Sequence, residues 1–181
     1  MSQKLRTFLS LILALSLLCS AALAHPGRTD SKGGHKDNKN KSGLGSYHYH
    51  CDGNPEHLHL NGVCPYAASA EDAQNDSVGA RIALEIPEGA AVEWVSSDEN
   101  VAIVISEDLA LAVGAGECTL EARNGERLVA SLALNIAEAE EIDVEALQAE
   151  LPEGFVFRGA PESAAIAFAQ RCGLAHEEVL H

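Results

Sequence analysis

Between Tyr47 and Tyr66 the chain reads Tyr-His-Tyr-His-Cys-Asp-Gly-Asn-Pro-Glu-His-Leu-His-Leu-Asn-Gly-Val-Cys-Pro-Tyr, and residues 25–46 before it are nearly devoid of apolar side chains. Such a stretch cannot build a hydrophobic core of its own, so any order it has must come from a cross-link or a bound ion. It offers the groups for both. Two His-x-His pairs, His48/His50 and His57/His59, stand beside Cys51 and Cys64, and imidazole and thiolate are the usual ligands of zinc and its neighbours. Six of the eight histidines of the chain fall in residues 25–66.

On a strand successive side chains alternate faces, so His48 and His50 should point one way and Tyr47, Tyr49 and Cys51 the other, with His57 and His59 repeating the pattern. Asp52-Gly53-Asn54-Pro55 is turn chemistry. The spacing predicts two facing arms whose four imidazoles converge on one ion at about 2.0–2.1 Å, the zinc–nitrogen distance. His35 is expected as a further ligand. His25 and Asp30 are weaker candidates, Asp30 as an oxygen ligand or as the carboxylate that fixes an imidazole tautomer. Tyr47, Tyr49 and Tyr66 are read as the packing face of this module.

The first twenty-four residues combine Lys4 and Arg6, an apolar run from Phe8 to Leu18 and the small-residue end Ala22-Leu23-Ala24. That is the pattern of a secretory signal peptide cleaved before His25, and it predicts a secreted or cell-surface protein with no transmembrane segment in the mature chain. An oxidising compartment permits disulfides among Cys51, Cys64, Cys118 and Cys172. Cys51 and Cys64 are expected to pair, closing a loop worth on the order of 3 kcal/mol, with metal ligation by the same sulfurs as the alternative. Cys118 and Cys172 are left either bonded to each other or free.

The ordered series His25-x-Gly-Arg-Thr-Asp-x-x-Gly-Gly-His35, Gly45-x-Tyr-His-Tyr-His-Cys51, His57-Leu-His59 and Asn61-Gly-Val-Cys-Pro-Tyr66 resembles the YHYH domain of secreted bacterial proteins. Asp52 stands where that pattern is expected to carry glycine. The resemblance implies a small metal-binding module without an established enzymatic role.

Charge divides the mature chain. Residues 25–66 hold five basic and four acidic side chains, whereas residues 67–181 hold five basic and twenty-three acidic ones. The second part should repel nucleic-acid phosphates, so no nucleic-acid partner is expected. The resulting division is a signal peptide at 1–24, the His-rich module at 25–66, a polar linker at 67–77, a β domain at 78–137 and a small mixed or helical segment at 138–181.

Within the β domain short alternating runs at 80–86, 91–96, 101–105, 109–113, 117–122 and 127–136 predict six strands. Val92-Glu-Trp94-x-Ser-Ser-Asp98-Glu-Asn-Val-Ala102-x-Val104 and Ala112-Val-Gly-Ala-Gly116-Glu-Cys-Thr-Leu120 resemble the bacterial immunoglobulin-like group 2 domain. This implies a spacer or adhesion module with a cell-surface or protein partner and no catalytic residue. Trp94 is then a core residue. In the last segment, Asp143 to Leu151 and Glu162 to Cys172 are predicted helices around a strand at 155–157, and His176 and His181 belong to a last helix or tail. The fold class expected is mainly β: a His-rich module held by metal or disulfide, an Ig-like antiparallel β-sandwich and a short α-helical C-terminal segment.

The function these residues support is zinc binding, or binding of another divalent transition metal, by a non-catalytic secreted protein. The alternative is a secreted zinc hydrolase of cell-wall or peptide substrates, because His57-Leu-His59 is similar to the His-x-His of lysostaphin-type peptidases. Only His57 and Glu56 are local candidates for its general base. Copper chelation by a free N-terminal His25 is a third possibility.

Overall fold

A computed structural model describes residues 28–179 of the chain. The expected signal peptide and His25 lie outside the described residues, as does His181. The architecture is mainly β, and all six strands expected in the β domain are present within a few residues of their predicted bounds.

The described chain opens with one hydrogen-bonded ladder, in which β1 (Gly34–Lys36) pairs antiparallel with β2 (Tyr47–Tyr49). Next comes β3 (Gln74–Ser77), inside the stretch expected to be a linker. Its sequence has no apolar alternation. It becomes a strand by tertiary pairing, running parallel to the end of β9 (Arg127–Ala137) with Gln74 opposite Leu134 and Ser77 opposite Ala137. The context of a neighbouring strand outweighs weak intrinsic propensity here.

β9 and β8 (Gly116–Asn124) form the longest ladder, and β5 (Glu93–Ser96) lies on the other side of β8, giving a four-stranded sheet of order β3-β9-β8-β5. A three-stranded sheet of order β4-β7-β6 combines Arg81–Ala83, Leu109–Ala112 and Ala102–Ser106. Apart from β3 on β9, the ladders of these two sheets are antiparallel. Ile82, Ala110 and Leu111 from one sheet and Trp94, Leu120, Ala122, Leu134 and Ile136 from the other belong to a single buried cluster. Burial of apolar surface at roughly 25 cal/mol per Å² is what holds the sheets together.

The inner face of β9 switches part-way. Leu132, Leu134 and Ile136 are buried as the alternation predicts, but nearer the start of the strand Val129 and Ala130 are buried and Leu128 is not. A bulge in β9 accounts for it: Ala130 lies opposite Ala122 and Leu128 opposite Arg123, so Val129 is the extra residue, and one extra residue switches which side chains face inward on its two sides. Gly114 is packed so tightly against the Asn100 carbonyl that any Cβ there would overlap it.

The C-terminal segment is β10 (Phe157–Gly159), α2 (Ala164–Cys172) and β11 (His176–Glu178), preceded by α1 (Val144–Glu150). α1 is capped by Asp143, whose carboxylate accepts from the Ala146 amide, and α2 by Ser163, whose hydroxyl accepts from the Ile166 amide. Gly173 ends α2 in the left-handed conformation at φ 66°, the usual stop of a helix. His176 therefore sits in a strand parallel to β10 and not in a helix. Phe157, Ile166, Phe168 and Leu174 join the common core. No helix among the described residues is long and apolar enough to cross a membrane.

Candidate metal centre

The β1–β2 ladder places His35 directly opposite His48. On the other side of β2, Tyr49 and His57 exchange both backbone hydrogen bonds, Tyr49 N–H donating to His57 at 2.8 Å and His57 N–H to Tyr49 at 3.1 Å. Directly opposed residues in an antiparallel pair share a face. Tyr49 and Cys51 therefore face the same way as His57 and His59, and His48 and His50 face away with His35.

A second turn completes the first of these groups. Asn61 and Gly62 have φ of 50° and 81°, between the bridged residues Leu60 and Val63. This is the two-residue Asn-Gly hairpin with both central residues at positive φ, and it brings Cys64 back beside His59. Asp52 also lies in the left-handed region, at φ 54°, a conformation that asparagine, aspartate and glycine tolerate best.

Two sets of ligand atoms result, each mutually within 4.8 Å: Cys51, His57, His59 and Cys64, and His35, His48 and His50. Within the first, Cys51 Sγ is 3.3 Å from His59 Nε2 and Cys64 Sγ is 3.4 Å from His57 Nε2. A tetrahedral zinc with bonds of about 2.0–2.3 Å spaces its ligand atoms about 3.3–3.8 Å apart, so the donor set fits such an ion. Either set can hold a metal.

This geometry corrects two expectations. The four imidazoles of the His-x-His pairs do not converge on one ion; the strand register sorts them into two groups. Cys51 and Cys64 are not bonded to one another, and neither are Cys118 and Cys172, both buried in the core. Cys51 does face away from His48 and His50, but that face carries His57 and His59, so its sulfur meets imidazoles. Metal ligation and a disulfide compete for the same two sulfurs.

Surrounding groups fix the ring orientations. His57 donates from Nδ1 to the Pro55 carbonyl at 2.7 Å, which leaves Nε2 as the lone-pair nitrogen facing Cys64; such a backbone anchor is the usual way a ligand tautomer is set. Tyr49 lies flat on His59 with ring centroids 3.7 Å apart, and Tyr66 meets His57 edge-on at 5.0 Å. The tyrosines are thus the packing partners of the ligand rings.

Asp30 is in neither set. Its carboxylate accepts from the amides of Lys32 and Gly34 and from the Tyr47 hydroxyl, and so closes the turn before β1. The Tyr47 hydrogen bond is the largest influence lowering the Asp30 carboxyl, and the same bond pushes the Tyr47 phenol up to about 12.

The ligand segment is built onto the β9 side of the four-stranded sheet. Leu58, between the two ligand histidines, turns its side chain into the core and donates its amide to the Val129 carbonyl at 2.7 Å. Arg127 at the start of β9 pairs with Glu56 at 2.9 Å and donates to the Ser42 carbonyl at 2.9 Å. Tyr66 donates to the Leu128 carbonyl at 3.1 Å, and Leu44, bridged to Ala90, is fully buried. Arg127 and Leu58 were not singled out from sequence; the apolar residue alternating with ligands was the available signal for Leu58, and Arg127 offered none.

Burial biases several of these groups toward their neutral forms. Burial, followed by the His35 and His50 rings, pushes His48 down to about 4, with Asp37 and Glu56 opposing. Burial lowers His57 and His59 as well, and raises the Cys51 thiol, with Cys64 next in effect. A metal bound by the Cys51 sulfur would displace its thiol proton.

These shifts have a sign. A histidine whose folded pKa lies below its unfolded value of about 6.5 leaves the unfolded chain to bind the proton first, so its contribution is complete above pH 6.5 and fades toward pH 4. The metal-free protein should therefore lose stability as the pH falls from about 6.5 toward 4, with His48 contributing over that whole window. Urea midpoints of chelated protein at pH 7.5, 6.5 and 5.5 should fall in that order, and a flat series would contradict the buried, neutral state of these imidazoles.

Neither protein-family models nor curated proteins match this chain.

Proposed function

We propose that this is a secreted zinc-binding protein in which the Cys51, His57, His59 and Cys64 set is a closed, four-ligand structural site. The observation that carries the reading is the convergence of two sulfurs and two Nε2 atoms within 4.8 Å of one another. Soft thiolate with imidazole in a set of four suits zinc best among the common divalent ions. A set closed by four protein ligands leaves no position for substrate. Glu56, the local carboxylate considered as a general base, is engaged by Arg127, which favours the non-catalytic reading over a hydrolase.

The resemblances named above agree with this reading. A YHYH-type module would hold the metal, and an immunoglobulin-like pair of sheets would carry it and meet a cell-surface or protein partner. The leader pattern at residues 1–24 supports delivery outside the cytoplasm.

Cobalt substitution tests the ligand set. Added to chelated, reduced protein, Co²⁺ should develop an intense thiolate-to-cobalt charge-transfer absorption, which is absent from sites with nitrogen and oxygen ligands only. Cys64→Ser should weaken it and Cys51→Ser/Cys64→Ser should abolish it. Wild-type protein that binds cobalt without this band would remove the sulfurs from the site.

A further inference from the structure

The second set differs in kind from the first. His35, His48 and His50 supply three imidazoles and no sulfur, and their ligand atoms lie within 4.8 Å of one another. His48 Nε2 and His50 Nε2 are 3.1 Å apart, close to the roughly 3.3 Å edge that bonds of about 2.0–2.1 Å give in a tetrahedron. His35 approaches His48 edge-on with centroids at 4.4 Å and stacks on His50 at 5.3 Å.

Each ring is positioned by a separate element of backbone. His35 is held by β1 and His48 by β2, in register with each other. His50 lies just beyond β2, with Nδ1 3.4 Å from the Asn54 carbonyl, and its Nε2 is thereby directed at His48. His48 is fully buried and the His35 imidazole is buried with it in the set, while His50 is partly exposed and forms its solvent side.

Two acidic side chains flank the set. Asp37 and Glu56, both largely buried, lie close enough to stabilise a cation at His48. The Asp37 carboxylate accepts from the Ser42 amide at 2.8 Å and its hydroxyl at 2.9 Å, and Glu56 pairs with Arg127 at 2.9 Å.

We infer that His35, His48 and His50 form a second, independent metal site that takes a borderline divalent ion, Zn²⁺, Cu²⁺, Ni²⁺ or Co²⁺, and leaves one coordination position for an exchangeable ligand, water or a small anion. The inference rests on the metal-binding reading of the module. Among the described residues the set has three protein ligands, and three ligands with one open position are what separate reactive or exchanging zinc-type sites from closed structural ones. The absence of thiolate from this set leaves nitrogen-preferring ions as its choice.

Cobalt counts and distinguishes the two sites in one titration of the purified, untagged protein. Wild type should bind two equivalents, one with the thiolate charge-transfer band and one with weak visible absorption alone; azide should change the second spectrum and leave the first. His50→Ala, at a partly exposed position, should bind one equivalent, keep the full charge-transfer band and lose the azide response. His35→Asn should do the same. Cys51→Ser/Cys64→Ser should keep the azide-sensitive equivalent and lose the band. A single equivalent in wild type that carries the charge-transfer band and ignores azide, or two in His50→Ala with its band intact, would overturn the second site. Two equivalents with no azide response would overturn the open position. A missing charge-transfer band with the azide-sensitive equivalent present would refute the Cys/His reading instead and leave this one standing. Circular dichroism of each variant with its metal bound identifies one that has not folded, and the count then rests on the other histidine variant.

Discussion

Zinc at a hundred times its dissociation constant is expected to raise the melting temperature by about 5 to 10 °C over chelated protein. An ion that binds the folded chain alone stabilises it by about 2.7 kcal/mol at that excess, and each kcal/mol moves the midpoint of a chain this size by about 2–4 °C. The folded state has the advantage because convergence of Cys51, His57, His59 and Cys64 requires the Tyr49–His57 bridge and the Asn61-Gly62 turn, both lost on unfolding. In Cys51→Ser/Cys64→Ser the part of this increment due to the Cys/His set should vanish, and affinity should fall by more than the roughly 10–100-fold that loss of a supporting hydrogen bond costs. Scanning calorimetry with zinc and with chelator measures it. Equal midpoints in the wild type would show that the ligand atoms do not hold an ion in the folded chain.

The second large effect is expected from Leu58→Ala. Leu58 is 4% exposed and belongs to the common core, while its neighbours on both sides are ligands. Truncating a buried leucine removes transfer free energy and leaves a cavity, a combined cost of about 2–5 kcal/mol. Urea unfolding should show that loss in the metal-free protein, and zinc affinity should fall with it, because the Leu58 side chain anchors the segment from which His57 and His59 project. Leu60→Ala, at a partly buried position on the same segment, should cost less. A Leu58→Ala cost below about 1 kcal/mol would mean that the ligand segment is not packed on the sheets.

What the sequence made legible and what it hid follow a physical line. The six strands between residues 80 and 137 were readable because each has its own alternation and is bounded by turn residues. Asp143 and Gly173 mark helix ends by local hydrogen bonding and backbone preference, and the structure uses Asp143 as an N-cap and Gly173 at the C-terminal end of α2, whose own N-cap, Ser163, was not singled out from sequence. The strand β3, by contrast, is Gln-Asn-Asp-Ser; nothing local requires it to be extended, and β9 supplies the reason.

The metal groups divide in the same way. Ligand types and their alternation along each strand were visible in His48, His50 and Cys51. Which strand's ligands meet which others depends on register, a relation between segments that no single segment encodes. One pairing, Tyr49 with His57, decides that Cys51 meets imidazoles and not its presumed disulfide partner alone. The Asn61-Gly62 dipeptide carried the readable signal for returning Cys64 to the group. Arg127, seventy-one residues from Glu56, could not have been assigned to the module from its own surroundings.

The distribution of aromatic side chains gives this protein two built-in optical reporters. All three tyrosines, Tyr47, Tyr49 and Tyr66, belong to the histidine module, and the sole tryptophan, Trp94, is buried between the sheets on β5. Tyr49 and Tyr66 touch ligand rings directly. Emission excited at the red edge, where only indole absorbs, therefore follows the sheets, whereas tyrosine absorbance follows the module. A denaturation curve recorded in both channels reads whether loss of metal loosens one unit ahead of the other, with no label attached and no residue replaced.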